Sequence, residues 1–233
     1  MQIAGIQKLS LLDYPNTLAC VVFLPGCNLR CPFCHNATLV TGAPTPISEE
    51  QVFEFLRSRV GVLEGVCISG GEPTLQKELP EFIAKIKELG FKVKLDTNGT
   101  APETLQYLID NYLVDYVAMD IKTSLQRYSA AVGVSQFTAD KVEKSIMILL
   151  NSDIDYEFRT TVARGIVSLE DIDSICESIN GCKAYYLQKF IDSGNLVGHG
   201  DFEVSDLYMI SCFDRARNKL NNVQIRGVDL HGS

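Results

Sequence analysis

The sequence of 233 residues lacks three features that mark common classes of protein. It has no uninterrupted apolar run of the roughly 20 residues that a membrane-spanning helix needs. Its first residues lack the basic stretch and the apolar run of a signal peptide. Its 21 Lys and Arg residues form no dense run and the formal net charge is −8, which argues against a sequence-independent grip on nucleic acid. We therefore expect a cytosolic, cytoplasmic protein that binds neither a membrane nor nucleic acid.

Cysteine is well represented, because the chain has eight cysteines and three of them are clustered. Cytosolic thiols stay reduced, so clustered cysteines indicate metal or redox chemistry rather than disulfides. The remaining cysteines show no ligand-like grouping, and we interpret them as buried, small apolar side chains. These are Cys20, Cys67, Cys176, Cys182 and Cys212. A second metal centre is therefore not expected.

Apolar runs rich in β-branched residues alternate with helix-like stretches along the chain. Strands are predicted at residues 18–24, 65–69, 92–96, 116–120, 155–162 and 184–190. Helices are predicted at residues 48–59, 77–89, 102–111, 138–150 and 168–179. The residues from Ser48 to Gln51 predict a capping box at the start of one helix, and Gly90 predicts the end of the next.

This alternation predicts an α/β fold in which parallel strands are joined by right-handed crossovers and covered by helices. Six such units form a partial, TIM-like (β/α)6 barrel, whose chemistry collects at the carboxyl ends of the strands. Residues 202–220 are expected to add a closing helix, and residues 223–226 form either a short edge strand or a tail. We interpret residues 1–233 as one domain, with a C-terminal helix and tail at about residues 202–233.

The clustered cysteines Cys27, Cys31 and Cys34 follow the first predicted strand, in residues 25–36, which we name the cluster loop. Three thiolates within eight residues can wrap around one soft metal centre. A structural zinc site takes four protein ligands, whereas a cubane iron–sulfur cluster held by three leaves one iron free. A zinc site completed by His35 or by a distant cysteine stays open as an alternative, although His35 adjoins Cys34 and would strain to reach the same tetrahedron.

The spacing C-x3-C-x2-C, with Phe33 before the last cysteine, resembles the signature of the radical SAM superfamily. The resemblance implies that the three cysteines bind one 4Fe-4S cluster, and that its free iron binds S-adenosylmethionine (SAM) through amino and carboxylate groups. It also implies a barrel of the radical SAM type. Four residues after the second predicted strand match the motif that holds the SAM amino group in this family. They are Gly70, Gly71, Glu72 and Pro73.

The next strand ends resemble those of one branch of the superfamily, the activating enzymes of glycyl radical enzymes. The residues for which this resemblance implies contact with SAM are Asp96, Thr97, Asn98, Asp120, Lys122, Arg159 and His199. Each of the motif residues also has a purely structural interpretation. Asn98 with Gly99 is a turn signal, Asp96 can cap a helix, and Lys122 can be solvated.

Two further stretches of the sequence indicate one group of proteins within this branch. Residues 8–15 and the run Cys34-His35-Asn36 are similar to anaerobic ribonucleoside-triphosphate reductase activating proteins. The resemblance implies that a flavodoxin or ferredoxin reduces the cluster, that SAM is split into methionine and a 5′-deoxyadenosyl radical, and that a glycine of the partner enzyme becomes a radical. Three alternatives stay open: an activase of another glycyl radical enzyme, a radical SAM enzyme acting on a small molecule or RNA, and a non-catalytic zinc or iron–sulfur module.

The two aspartates predict a concentration of negative charge beside SAM. Asp96 and Asp120 end neighbouring strands about 4.8 Å apart, and the SAM carboxylate would join them. At an effective dielectric near 20, each close pair repels by about 4 kcal/mol at 4 Å, so a positive charge is required. Lys122 could supply it. Alternatively, sodium or potassium binds there with the Thr97 hydroxyl and the Met119 carbonyl, as in the pyruvate formate-lyase activating enzymes that this region resembles.

Overall fold

The computed structural model describes residues 1–42 and 45–228 and contains one sheet of eight strands. Each strand pairs with the next one along the chain, so the spatial order is the sequence order. The first strand is antiparallel to the second, and all later pairs are parallel. The strands are β1 Gly5–Ser10, β2 Ala19–Leu24, β3 Gly65–Gly70, β4 Lys92–Thr97, β5 Tyr116–Asp120, β6 Asp155–Val162, β7 Tyr185–Lys189 and β8 Val223–Arg226.

Helices connect the strands and cover the outer face of the sheet. They are α1 Ala37–Val40, α2 Glu49–Arg57, α3 Leu79–Glu88, α4 Pro102–Asp110, α5 Tyr128–Ala131, α6 Asp140–Leu150, α7 Leu169–Ser178 and α8 Asp206–Arg217. Short 3-10 helices lie at Pro73–Leu75 and Leu125–Arg127. In the described ranges, no helix is both long and apolar enough to cross a membrane.

The predicted α/β fold is confirmed, and all six predicted strands and all five predicted helices are present. Their bounds differ from the predictions by no more than two residues at either end. The closing helix is shorter than expected, because α8 begins four residues after residue 202. Of the two alternatives for residues 223–226, the strand is the one observed. The end of the predicted tail, residues 229–233, lies outside the described residues, and the interpretation as a single domain stays a prediction.

The structure adds one edge strand, β1, which the sequence analysis missed. This strand lies at the edge of the sheet, and most of its side chains are exposed or half-buried. An edge strand needs no continuous apolar pattern, since only one of its sides pairs and its faces are partly solvated. With β1 and β8 at the two edges, the sheet is open along one side within the residues that the structure describes.

Local signals explain why the elements begin and end where they do. The Ser48 hydroxyl accepts a hydrogen bond from the Gln51 backbone N–H at 3.2 Å, and the Gln51 side chain accepts one from the Ser48 N–H at 2.9 Å. This reciprocal capping box confirms the predicted start of α2. Gly90 follows α3 with a φ of +89°, a conformation that glycine adopts without steric cost.

The strands divide their side chains between two environments. In β4, Val93 and Leu95 belong to the hydrophobic core beneath the helices. Lys94 and Asp96 alternate with them and therefore point to the opposite, inner face of the sheet. The inner face is polar at the carboxyl ends of the strands, where the cluster loop also lies.

Candidate functional site

A cavity of about 430 Å³ lies at the carboxyl ends of the parallel strands. This volume is within the usual range for a site that binds a small molecule or cofactor. Each strand from β2 to β7 contributes at least one residue near its end. These strand residues are Phe23, Ser69, Gly70, Asp96, Thr97, Asp120, Arg159, Thr161 and Gln188. The cluster loop, residues that directly follow the strands, Asp13 and Val40 line the rest of the cavity.

The structure brings Cys27, Cys31 and Cys34 to this one cavity. Cys31 is buried, and the other two are half-buried. Burial raises the pKa of Cys31 to about 11, although the Lys122 ammonium opposes this shift. Burial also raises the pKa of Cys27, against the effect of the Leu29 backbone N–H that points at its sulfur. Cys27 and Cys31 are therefore protonated at neutral pH in the free protein, and a bound metal centre would supply the positive charge that makes its ligands thiolates.

The thiols fit an iron–sulfur cluster better than a single metal ion. Within residues 1–42 and 45–228, no three His, Cys, Asp or Glu side chains converge closely enough to hold one ion. A zinc site needs such a convergence, whereas the thiolates around a cubane each bind a different iron. His35 also lines the cavity, and burial and the nearby Lys122 charge lower its pKa.

The end of β3 supports the cluster loop through backbone contacts. The Gly71 N–H donates to the Leu24 carbonyl at 2.9 Å, and the Glu72 N–H donates to the Gly26 carbonyl at 2.8 Å. A Cβ atom at Gly71 would lie 1.9 Å from the Gly26 oxygen. The backbone that Gly71 must admit in this structure is therefore that of the cluster loop, and a contact of Gly71 with SAM stays a prediction.

Glu72 does not line the cavity, and its carboxylate is already occupied. Its side chain is fully buried and accepts hydrogen bonds from the Thr74 N–H and hydroxyl, the Thr97 hydroxyl at 2.8 Å and the Asn98 N–H at 2.6 Å. Burial raises the pKa of Glu72, and these donors oppose that shift. This carboxylate therefore ties the end of β3 to the end of β4, and a contact of Glu72 with SAM stays a prediction. Pro73 is buried beside it and does not line the cavity either.

Asp96 and Asp120 lie in a chain of ion pairs. Arg159 joins the two carboxylates, with its Nε 2.8 Å from Asp120 Oδ1 and its NH1 3.5 Å from Asp96 Oδ1. Lys122 pairs with Asp120 at 2.9 Å, and Lys94 pairs with Asp96. Burial opposes the charged form of each carboxylate, but the cations outweigh it and hold the pKa of Asp96 and of Asp120 below the ordinary range. Three cations face two carboxylates in this network.

The other predicted SAM-binding residues of this region differ in whether their side chains face the cavity. Phe33 lines the cavity and packs edge-to-face on Phe202, with 6.4 Å between ring centroids. Asn98 also lines the cavity, and its side-chain amide lies 3.8 Å from the Cys27 sulfur. The Thr97 hydroxyl donates to Glu72 rather than to the cavity.

His199 is exposed and does not line the cavity. The residues before it contact the cluster loop, since the Val197 N–H donates to the Cys34 carbonyl at 3.0 Å and the Gly198 N–H to the Pro32 carbonyl at 2.9 Å. The structure therefore places the segment, but not the His199 side chain, against the predicted metal centre. A contact between His199 and SAM stays a prediction.

Several residues at the cavity were missed by the sequence analysis. They are Asp13, Ser69, Thr161 and Gln188. Lys94, which was also missed, does not line the cavity but pairs with Asp96, which does. A signal was available for Lys94, because a residue two positions before Asp96 in a strand shares its face. Asp13 lies in the N-terminal stretch whose resemblance was noted, but nothing in the sequence indicates that this loop reaches the cavity.

Comparisons with known proteins show the family to which this chain belongs. The model of the Radical SAM superfamily matches residues 21–179, which run from within β2 to the end of α7 and include the cluster loop. A protein of Methanocaldococcus jannaschii, provisionally named a glycyl-radical enzyme activating enzyme, is 38% identical over 195 residues, which are 81% of this chain and 79% of that one. The pyruvate formate-lyase-activating enzyme of Clostridium pasteurianum is 35% identical over 129 residues, which are 52% of each chain.

A solved structure agrees on the fold. The crystal structure of Streptococcus suis SuiB bound to S-adenosylmethionine superimposes with a TM-score of 0.68 and 16% identity, and it covers 90% of this chain and 52% of that chain. The family match covers more than half of the sequence, and the Methanocaldococcus protein is similar over most of its length. The chain therefore belongs to the radical SAM superfamily of enzymes.

Proposed function

We propose that this radical SAM enzyme activates a glycyl radical enzyme, and that its partner is an anaerobic ribonucleoside-triphosphate reductase. The observation that carries the proposal is the meeting of Cys27, Cys31 and Cys34 at one cavity with the ends of the parallel strands. The branch is supported by the 38% identity to the Methanocaldococcus protein. The partner is supported by the resemblance of residues 8–15 and 34–36 to activating proteins of that reductase.

The superfamily uses a 4Fe-4S cluster and SAM, and the residues around the cavity suit both. The three thiols would hold the cluster, and the backbone at Gly70, which has no side chain between it and the cavity, would approach the methionine part of SAM. When bound, the two groups supply a one-electron cleavage of a sulfonium–carbon bond. Lys122 lies close enough to the thiols to stabilise their anionic form, and Phe33 excludes water beside them.

We propose that positively charged side chains of the protein itself, rather than a metal ion, balance the charges of the two aspartates. Lys122 and Arg159 both pair with Asp120, which supports the interpretation that a lysine supplies the charge beside SAM. Sodium or potassium at Asp96 and Asp120, with Thr97, is the alternative. Its hard-oxygen site would have to compete with ammonium and guanidinium groups that already bind these carboxylates.

The shape of the sheet is compatible with a macromolecular substrate. Between β1 and β8 the inner face is open in the described part of the chain, so a loop of another protein can approach the cavity from that side. The net charge of −8 favours a basic docking face on the partner. A flavodoxin or ferredoxin as electron donor, and a cytosolic location, stay predictions.

The proposed activity can be tested by electron paramagnetic resonance. Anaerobically reconstituted enzyme is reduced and mixed with SAM and the anaerobic ribonucleotide reductase of the same organism. We expect a glycyl radical signal that needs SAM and that disappears when the C-terminal glycine of the reductase is replaced by alanine. Cys31→Ala should abolish the signal, because the thiol at the cavity wall is lost.

Pyruvate formate-lyase, tested in the same way, is the matched control for partner choice. A radical on pyruvate formate-lyase and none on the reductase would contradict the proposed partner while retaining the proposed branch. Consumption of SAM with no radical on either protein would contradict the activase function and favour a small-molecule or RNA substrate.

A further inference from the structure

Lys94 is a buried lysine on the inner face of the sheet. It lies in β4 two residues before Asp96, so both side chains point toward the cavity side of the strand. Its side chain is 2% exposed. The ammonium group pairs with Asp96 Oδ1 and lies 3.8 Å from the Cys67 sulfur.

This lysine keeps its charge. Burial disfavours the ammonium form, but the Asp96 carboxylate outweighs it, and the pKa of Lys94 is raised above its ordinary value. An ion pair of this kind is costly to break, because either partner alone would be a buried, uncompensated charge. Lys94 and Asp96 are therefore a permanent unit of the inner face.

The pair changes the charge balance of the SAM site. Asp96 and Asp120 are faced by Lys94, Arg159 and Lys122, which leaves a net charge of +1 in the network. The other oxygen of Asp96 accepts a hydrogen bond from the Ser69 hydroxyl at 2.9 Å. Both oxygens of Asp96 are thus occupied by protein groups, and the remaining positive charge suits one carboxylate of a ligand.

We propose that Lys94 is a built-in counter-cation that takes the place of a sodium or potassium ion beside Asp96, so that this protein binds SAM without a monovalent cation. The inference rests on the SAM site of the proposed function and adds a positioning role for a residue outside the recognised motifs. A purely structural ion pair is the competing explanation. It would stabilise β4, but it would leave the response of SAM binding to small cations unchanged.

The test compares three salts at equal ionic strength: potassium chloride, sodium chloride and tetramethylammonium chloride. Equilibrium binding of SAM is measured with the reconstituted wild type, with Lys94→Met and with Lys87→Met. Lys87 pairs with Asp115 on the helix side of the sheet and serves as the matched control. Wild type and Lys87→Met should bind SAM with about the same affinity in all three salts.

Lys94→Met should bind SAM at least about tenfold more weakly in tetramethylammonium, because one buried charge pair is broken. Potassium or sodium should restore most of this affinity, since each can enter the space that the ammonium group leaves. The melting temperature of the same variant should rise when tetramethylammonium is replaced by potassium. Lys94→Gln, which keeps a polar group at the position, is the second variant and should show the same response to cations.

Two results would overturn the role of Lys94. One is a wild type whose SAM affinity collapses in tetramethylammonium, a measurement that needs no variant. The other is an iron-loaded Lys94→Met or Lys94→Gln protein whose affinity for SAM is equal in the three salts. Failure of the underlying SAM site is distinguishable, because the iron-loaded wild type would then bind no SAM in any salt.

Discussion

Replacing Gly71 by alanine perturbs the contact between the end of β3 and the cluster loop. The new Cβ would lie 1.9 Å from the Gly26 oxygen and 2.5 Å from its carbonyl carbon. Real contacts of a Cβ atom are essentially never shorter than 3.0 Å, so the backbone at Gly26 has to retreat by about 1 Å. Gly26 directly precedes Cys27, and the displacement therefore moves a predicted cluster ligand.

The cost has two parts. Forcing a methyl group into a packed site typically costs about 1–3 kcal/mol. The hydrogen bond from the Glu72 N–H to the Gly26 carbonyl, 2.8 Å long, is weakened at a cost of about 1 kcal/mol. Together, the two contributions lower the free energy of unfolding by about 2–4 kcal/mol, which lowers the melting temperature of a chain of this size by roughly 5–15 °C.

The assay combines thermal unfolding, iron content after reconstitution and SAM affinity. We expect Gly71→Ala to lose stability and iron together, and SAM affinity as a consequence. Gly5→Ala is the matched control, because a Cβ at Gly5 in β1 meets no atom within 4 Å. An unchanged melting temperature and full iron content, with only the SAM affinity reduced, would refute this reasoning and would indicate that Gly71 admits the ligand instead.

The other predictions address the cluster loop, α2 and the ion pairs. Replacing any one of the three cysteines of the cluster loop by alanine should abolish iron binding. Cys212 is buried in α8 and does not line the cavity, so Cys212→Ser should leave the iron content unchanged. Analysis of the iron content checks both predictions. Ser48→Ala removes the capping box of α2 and should lower the free energy of unfolding by about 1 kcal/mol, measured by urea titration. Asp120 has a pKa below its ordinary value of 3.8, so its contribution to stability is present above that value and is lost as the pH falls below it. Asp120→Asn should therefore flatten the decline in the free energy of unfolding of the iron-free protein below about pH 4.

The fold was predictable because its strands carry a strong signal. Strands that helices cover on one side often carry apolar, β-branched runs, as in β2 and β3. The bounds of β5 and β6 agree with the prediction at both ends. β1 carries no such signal, since it pairs along one side only and exposes three consecutive residues. The short helices α1 and α5 have four residues each, too few for a helical period to be read from the sequence.

The site was predictable as far as spacing and strand ends could define it. The cysteine spacing and the positions of Asp96 and Asp120 at the ends of neighbouring strands predicted groups that the structure brings to one cavity. The direction of individual side chains could not be predicted. Glu72, a motif residue, accepts hydrogen bonds from backbone and hydroxyl donors, and Lys94, to which the sequence analysis gave no role, pairs with Asp96. Such choices depend on packing between strands that are distant in sequence.

In the proposed function, the thiols of the cluster loop hold a 4Fe-4S cluster that cleaves SAM when it is reduced. The most direct test is the release of 5′-deoxyadenosine by the anaerobically reconstituted protein after addition of dithionite and SAM, with iron content determined on the same sample. We expect about four iron atoms per chain, release of 5′-deoxyadenosine, and loss of both in Cys31→Ala. A wild-type protein that is fully loaded with iron but releases no 5′-deoxyadenosine, or one whose cluster loop binds a single zinc ion and no iron, would contradict the proposed function.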